Sequence, residues 1–524
     1  MRVRNLFIRS GPAGLAVSLF LSFLAFGPSL AAEPAAEEFR NVNLGFPANR
    51  IEAGAVAATI SGGGRYGFPN RVYGDMGSVG GGAGNSAANL ATVGGGAGNI
   101  ASGLRTTIAG GENNTASLDS ATVGGGYGNQ AGASHATVGG GMANSATEVD
   151  ATVGGGSGNQ AGERHSTVAG GSVNKALGFA AAITGGVYNV ASAAYATVGG
   201  GMANVGGGIE STVSGGAGNR AAGEAAFVGG GMNNQVIGHY GAIGGGRGNR
   251  AGSGTDSPAD GVYSTVGGGL DNMARGSYSV VPGGTLNVAA GDYSFAAGTR
   301  ARVESGHEGA FLYADHQDSE FSSSAANEFA VRASGGVRFV TGLDADGRPG
   351  AGVRLRPGSG SWETSSDRRL KTDFSPVDGR DILERLSTMP IQSWRYRSED
   401  LVARHVGPTA QDFHEAFHLG ADDRYINVID ANGITLAAVQ SLYKMVKDRD
   451  EALEACLGRI REMEKELAAQ KRRMAGLDAR FQGQEAGASN LGRPPASSAA
   501  MNCGGLPTWG RLLPGPTVSS REWK

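Results

Sequence analysis

The 524 residues include 93 glycines and are only 40% apolar, which excludes one large conventional hydrophobic core. The glycines follow no Gly-x-y triplet, so a collagen helix is also excluded and tight, repeated turns remain. Net charge is −3 and Lys175 is the only lysine between residues 60 and 300, so no electrostatic footprint for nucleic acid is present.

The chain opens with Arg2, Arg4 and Arg9, an apolar run from Ala13 to Phe26, and small residues at Ser29-Leu30-Ala31-Ala32. This order predicts a secretory signal peptide over 1–32, hence an exported, extracellular or surface protein. No later segment has the length and apolarity of a membrane span, so none is expected in the mature chain. The two cysteines, Cys456 and Cys503, both lie near the end. Residues 33–59 read as a leader.

From 60 to 300 a Val or Ile recurs at 79, 93, 108, 123 and onward to 281, with an Asn six residues after each, at a period of 15 almost throughout. One eight-residue insertion falls between Ile243 and Val266. A fixed period of this size predicts a β-solenoid, a roll whose turns stack on one another. In Ala121-Thr122-Val123-Gly124-Gly125-Gly126-Tyr127-Gly128-Asn129-Gln130-Ala131, strand alternation sends Ala121 and Val123 inward and Thr122 outward. The glycines then permit a bend, Asn129 is placed for a stacked amide ladder, and Ala131 belongs to a second strand. About 15 turns at ~4.7 Å predict a rod of roughly 65 to 70 Å. Inward residues are small, so a single roll buries little apolar area and several chains are expected to pack together.

This repeat is similar to the head repeats of trimeric bacterial surface adhesins, although those run nearer 14 residues and end in a membrane-anchoring barrel for which this chain offers no pattern. GxGxxA matches such as Gly126 to Ala131 carry no dinucleotide site, because a 15-residue period has no room for the required helix. Calcium-binding rolls need a nine-residue period. The outward Thr column at 92, 107, 122, 137, 152 and 167 has the form of an ice-binding ladder, but it breaks at Ala182, Phe227 and Ala242. Residues 301–365 read as a β-rich neck, with strands at 310–314, 328–333, 337–341 and 353–355.

At Ser365-Ser366-Asp367-Arg368-Arg369-Leu370-Lys371 the repeat gives way to mixed globular sequence. A Ser hydroxyl becomes a nucleophile when a base takes its proton, and a Lys serves as that base when desolvation or neighbouring cations favour its neutral form. Five apart, the two need a turn between them or a partner chain in order to meet. Downstream come Arg404-His405-Val406-Gly407-Pro408-Thr409-Ala410-Gln411-Asp412-Phe413 and a long helix. Together these motifs resemble the C-terminal intramolecular chaperone of phage endosialidases, tail fibres and tailspikes, over roughly residues 309–450. The resemblance implies a homotrimer, assistance to folding of the upstream fibre, and single-turnover release by a self-cleaving serine peptidase. In it Ser366 is the nucleophile, Lys371 the base, and Ser365-Ser366 the bond cut; Gln411 receives no catalytic role.

His414-Glu415-Ala416-Phe417-His418 is a literal HExxH, the pattern of a zinc peptidase, but no recognisable downstream motif supplies a third ligand, although His405 lies nearby. Ala410, Phe413 and Phe417 recur at i, i+3 and i+7, which explains the same stretch as a packed helix, so no metal or other cofactor is expected. The chaperone core is expected over 366–433, ending in an Asp430-Ala431-Asn432-Gly433 turn. A coiled coil follows over 434–481, with Val439, Val446, Leu453, Ile460, Leu467, Met474 and Phe481 at a and with Arg449 and Gln470 among the d positions. Residues 482–524 read as a disordered tail. The expected architecture is mainly β: solenoid, small α+β domain, coiled coil. Its expected function is a trimeric fibre with a self-releasing chaperone; a non-cleaving surface adhesion protein is the alternative, and no particular surface or glycan ligand is indicated.

Overall fold

The computed structural model describes residues 40–253 and 260–488. The expected signal peptide and most of the expected tail lie outside the described residues. The chain divides into two compact units, with the boundary between Ser366 and Asp367.

The first unit is dominated by a β-solenoid. Each 15-residue coil contributes two strands of two residues, such as Thr122–Val123 and Gln130–Ala131. Every strand pairs in parallel and in register with its counterpart one coil away. Among the described residues this builds a 19-stranded sheet from Val42–Asn43 to Phe329–Arg332 and a second, 18-stranded ladder from Arg50–Ile51 to Phe321–Ser322. The core between them is a column of Val and Ile facing a column of Ala, as in Val123 and Ala131, both fully buried. Coils this thin have no room for larger side chains.

The bend between the strands rests on glycine and asparagine. Gly126 has φ +90°, and a Cβ there would overlap the carbonyl oxygen of Gly141 in the next coil. In the next coil, Asn144 donates through Nδ2 to the carbonyls of Gly140 (2.8 Å) and Gly156 (2.8 Å), while its Oδ1 accepts from the N–H of Asn159 (3.0 Å). The same ladder runs from Asn49 to Asn287 and ends on the N–H of Ala301. Asn144→Ala leaves the buried Asn159 N–H without its acceptor, at ~1–3 kcal/mol, and removes bonds to the part-buried carbonyls of Gly140 and Gly156, the latter still accepting from the Met142 N–H (2.9 Å). A summed local loss of about 3 kcal/mol corresponds to roughly hundredfold faster amide exchange, since 1.4 kcal/mol is tenfold. Unchanged exchange in the 140–159 coils would contradict this role.

The solenoid is longer than the repeat alone predicts. Residues 42–60 form the first coils, and the expected neck strands near 310–314 and 328–333 are its last, Phe311–Ala314 and Phe329–Arg332. About 18 steps of ~4.7 Å give a stack of about 85 Å rather than 65 to 70 Å. The eight-residue insertion leaves the ladder intact: Ala242–Ile243 pairs directly with Thr265–Val266.

Arg332 closes the C-terminal end. Its guanidinium donates to Asp315 Oδ1 (2.8 Å) and to the carbonyls of Ser319 (2.7 Å) and Gln317 (3.2 Å), and lies over the ring of Phe321. Bonds from Ser334, then Arg332, hold the Asp315 carboxyl down to about 2 from 3.8. A carboxyl depressed in the folded state stabilises above its unfolded value and loses that contribution as pH falls through the depressed one. The last coil is therefore expected to fray first between pH 3.8 and about 2, seen as exchange of the 311–332 amides ahead of the central coils; simultaneous loss would contradict it.

Beyond the solenoid, Val337–Leu343, Pro349–Leu355 and Trp362–Thr364 form an antiparallel three-stranded sheet. The second unit contains α1 (Gly379–Thr388), a short antiparallel pair (Gln392–Trp394 with His405–Gly407), α2 (Ala410–Phe417) and the 61-residue α3 (Val428–Ala488). Helix α1 starts on an Asp378 cap and buries Ile382. Its Gly379 approaches Ser441 of α3 so closely that a Cβ would overlap the Ser441 hydroxyl. The expected Asp430–Gly433 turn is instead helical. Asn427 Oδ1 accepts the N–H of Ile429 (2.8 Å) and starts the helix earlier, so Asn432-Gly433 lies within it.

Candidate functional site

Ser365 continues the third strand of the small sheet. Its N–H donates to the carbonyl of Gly352 (3.0 Å), and Gly352 N–H donates back to the Ser365 hydroxyl (3.1 Å). The strand is held upstream by Glu363, which accepts from Arg354 (2.7 Å) and pairs with Arg356 (2.7 Å). Hydrogen bonds from Arg354 lead the interactions that lower the Glu363 carboxyl below its ordinary range. A cleft of about 360 Å³ lies against this sheet, lined by Phe339, Gly352 and Arg354 and, at its end, by Ser365 and Ser366. The peptide bond between the two serines therefore follows the edge strand of this sheet, beside open volume.

Ser366 is the last residue of the first unit, and Asp367 opens the second. Asp367 caps a 3₁₀ turn over Arg368–Leu370: its Oδ1 accepts the N–H of Arg369 (2.9 Å), and its carboxylate pairs with the Arg369 guanidinium (2.6 Å). The Arg369 side chain and then its N–H hold the Asp367 carboxyl down to about 2. Arg368 lies 4.5 Å over the Phe374 ring. Lys371 ends the turn, its N–H donating to the carbonyl of Arg368 (3.2 Å). One feature escapes a reading of the sequence here: the neighbouring cations are not equivalent, since Arg369 is neutralised by Asp367. A turn, one of the two arrangements the spacing calls for, is present between the Ser and the Lys.

The Gly407-to-Phe413 block encodes the start of α2. Thr409 Oγ1 accepts the N–H of Asp412 (3.2 Å), Asp412 Oδ2 accepts the N–H of Thr409 (3.3 Å), and Phe413 is the buried anchor. Phe413 and Phe417 lie 5.1 Å apart between ring centroids. Arg385 of α1 donates to the carbonyl of Ala416 (2.9 Å), tying the two helices together.

The HExxH stretch does not form a zincin helix. Helix α2 stops at Phe417, and His418 is its left-handed cap with φ 54°, so the two histidines do not share helical geometry. His414 Nδ1 is bonded to the carbonyl of Leu419 (2.9 Å), and His405 Nε2 to Glu399 (2.9 Å). Among the described residues no cluster of three His, Cys, Asp or Glu side chains has the arrangement to hold a metal ion. Glu415→Gln is accordingly expected to change stability by less than about 0.5 kcal/mol and to leave any chain cutting intact, as read by intact mass and thermal unfolding. Loss of cutting together with stoichiometric zinc would reverse this assignment.

Helix α3 leaves its heptad stripe exposed in the single chain: Val439 is 60% exposed, Ile460 41%, Leu467 52% and Met474 64%. Among the described residues no helix is long and apolar enough to cross a membrane.

Residues 366–419 match the model of the family described as chaperone of endosialidase. The match is narrower than the expected 309–450 and begins on Ser366 itself. It covers 54 residues (419 − 366 + 1) of the 524, so it characterises this segment rather than the whole chain. No curated protein matches the chain significantly. A β-solenoid joined to a chaperone-of-endosialidase segment is the organisation of a tail-fibre-like protein.

Proposed function

We propose that this chain is an exported homotrimeric β-solenoid fibre whose C-terminal segment drives trimer folding and then cuts itself free before Ser366. The observation that carries assembly is the α3 stripe. A helix of 61 residues, about 90 Å at ~1.5 Å per residue, that leaves its apolar a positions in water needs further helices to cover them. The chaperone-of-endosialidase match favours three strands.

The release chemistry follows from the seam. The Ser366 hydroxyl attacks the carbonyl carbon of Ser365, the next atom group back along the chain, as Lys371 takes its proton. The C–N bond between Ser365 and Ser366 breaks, the proton passes to the departing nitrogen, and Ser365 is held as an ester on Ser366 Oγ. Water then hydrolyses the ester, leaving a Ser365 carboxylate and a new Ser366 amine. Only one turnover is possible, because the nucleophile leaves with the product. Either the 3₁₀ turn or a neighbouring chain of the trimer brings Lys371 to the hydroxyl, so cleavage waits on correct folding.

Lys371→Ala tests the division of labour. The variant is expected to sediment as a trimer while its chains stay at full length, since the substitution removes the base and leaves α3 intact. A Lys371→Ala protein cut at the wild-type rate would remove Lys371 from the chemistry.

A further inference from the structure

The outer faces of the two strand ladders differ in charge; a third column of parallel bridges, from Ala83 to Thr299, runs beside them. In the 19-stranded sheet the outward residue of every strand, from Val42 through Thr92, Thr152 and Phe227 to Phe329, is Val, Thr, Ser, Ala or Phe. The next outward position, two residues on, is equally uncharged in every coil, from Leu44 through Gly124 to Val331. On the 18-stranded ladder the corresponding outward column carries Arg50, Arg71, Lys175, Arg220, Arg250 and Arg302, of which Arg50 pairs with Glu52 and Arg302 with Glu304 two residues on (2.8 Å each). Toward its C-terminal end the neutral face becomes apolar. Phe295, Phe311 and Phe329 stack with centroids 4.5 and 4.9 Å apart, and Phe329 remains 69% exposed.

From this asymmetry we infer that the 19-stranded face is where the solenoids of neighbouring copies of this chain meet, with the phenylalanine ladder as the apolar anchor; the inference rests on the trimeric reading above. Copies brought together through the other face would oppose like charges such as Arg71, Lys175 and Arg220 at matching heights, and like charges directly opposite are destabilising. The neutral face meets itself without that penalty. Its short Thr, Ala and Gly positions let backbones approach closely, and in-register parallel strands present the same profile at every coil. The available area suffices: ~85 Å of stack by roughly 10 Å of face is about 850 Å² per chain, against ~800 Å² per partner in a stable interface. The recurrent outward threonines are accounted for by the same contact, as small β-formers that pack closely without charge.

Cysteine cross-linking of the full chain tests the face directly. In a Cys456→Ser, Cys503→Ser background, Thr152→Cys and Gln160→Cys place one thiol on the neutral face and one on the basic face of the same coil. A short bismaleimide is expected to link most Thr152→Cys chains into species that persist on a denaturing gel, with at least tenfold less linkage from Gln160→Cys. Two outcomes overturn the inference while leaving the assembly reading standing: a sedimenting trimer linked through Gln160→Cys, or one linked through neither. A monomer by sedimentation overturns both. Phe311→Asp, on the exposed face of the last coils, supplies a second reading: it is expected to lower linkage at Thr152→Cys while α3 still holds three chains together, and undiminished linkage would remove the ladder from the interface.

Discussion

Ile460→Asp combined with Leu467→Asp is expected to yield monomers that no longer cut themselves. Both positions lie at the a seam of α3 and are half exposed in the single chain, so the monomeric helix tolerates the change. In the assembled coil each copy would bury two unpaired carboxylates beside those of its partners. Removing the partner of a buried charge costs on the order of 3–5 kcal/mol, and several such groups meet at one seam here. Sedimentation should shift from three chains to one. Cutting should fall at least tenfold if the seam is completed only in the trimer. A monomeric variant that cuts at the wild-type rate would separate the chemistry from assembly and leave α3 as a tether.

Ser366→Ala is expected to abolish cutting without changing assembly. The hydroxyl is the only group in the scheme that attacks the Ser365 carbonyl, and alanine retains the backbone and nearly the volume of serine. The sheet edge that presents the bond should persist, because its hydrogen bonds come from Ser365 and Gly352. A residual cut at the same bond in Ser366→Ala would point to an external protease. Intact mass of the two proteins side by side separates these outcomes.

The central coils of the fold were legible because every copy repeats the same physics: Val or Ile inward, glycine at the bend, asparagine bridging to the next coil. The ends were not. From Phe295 to Phe311 and on to Phe329 the coils lengthen and lose both the triple glycine and the asparagine, although Leu312 and Ala314 still point inward. Periodicity stops reporting when coil length varies even though the ladder continues. Asn432-Gly433 is a turn signal that tertiary context overrides, since Asn427 caps the helix upstream and α3 runs through the pair. At the seam, residue type alone singles out Ser366 and Lys371 as candidates. The partners of Ser365 in the sheet and the Asp367–Arg369 pair depend on side-chain geometry and on contacts up to 13 residues away, which spacing does not encode. The HExxH pattern misleads for the complementary reason, because five correct letters do not require the helix to continue through the last of them.

The most direct measurement is N-terminal sequencing of the fragments from chains produced without residues 1–32. The account predicts a smaller fragment of 159 residues (524 − 365) beginning Ser366-Asp367-Arg368-Arg369, and a larger one ending at Ser365. A single uncut chain from a correctly folded trimer, or a new terminus at any other bond, would contradict it.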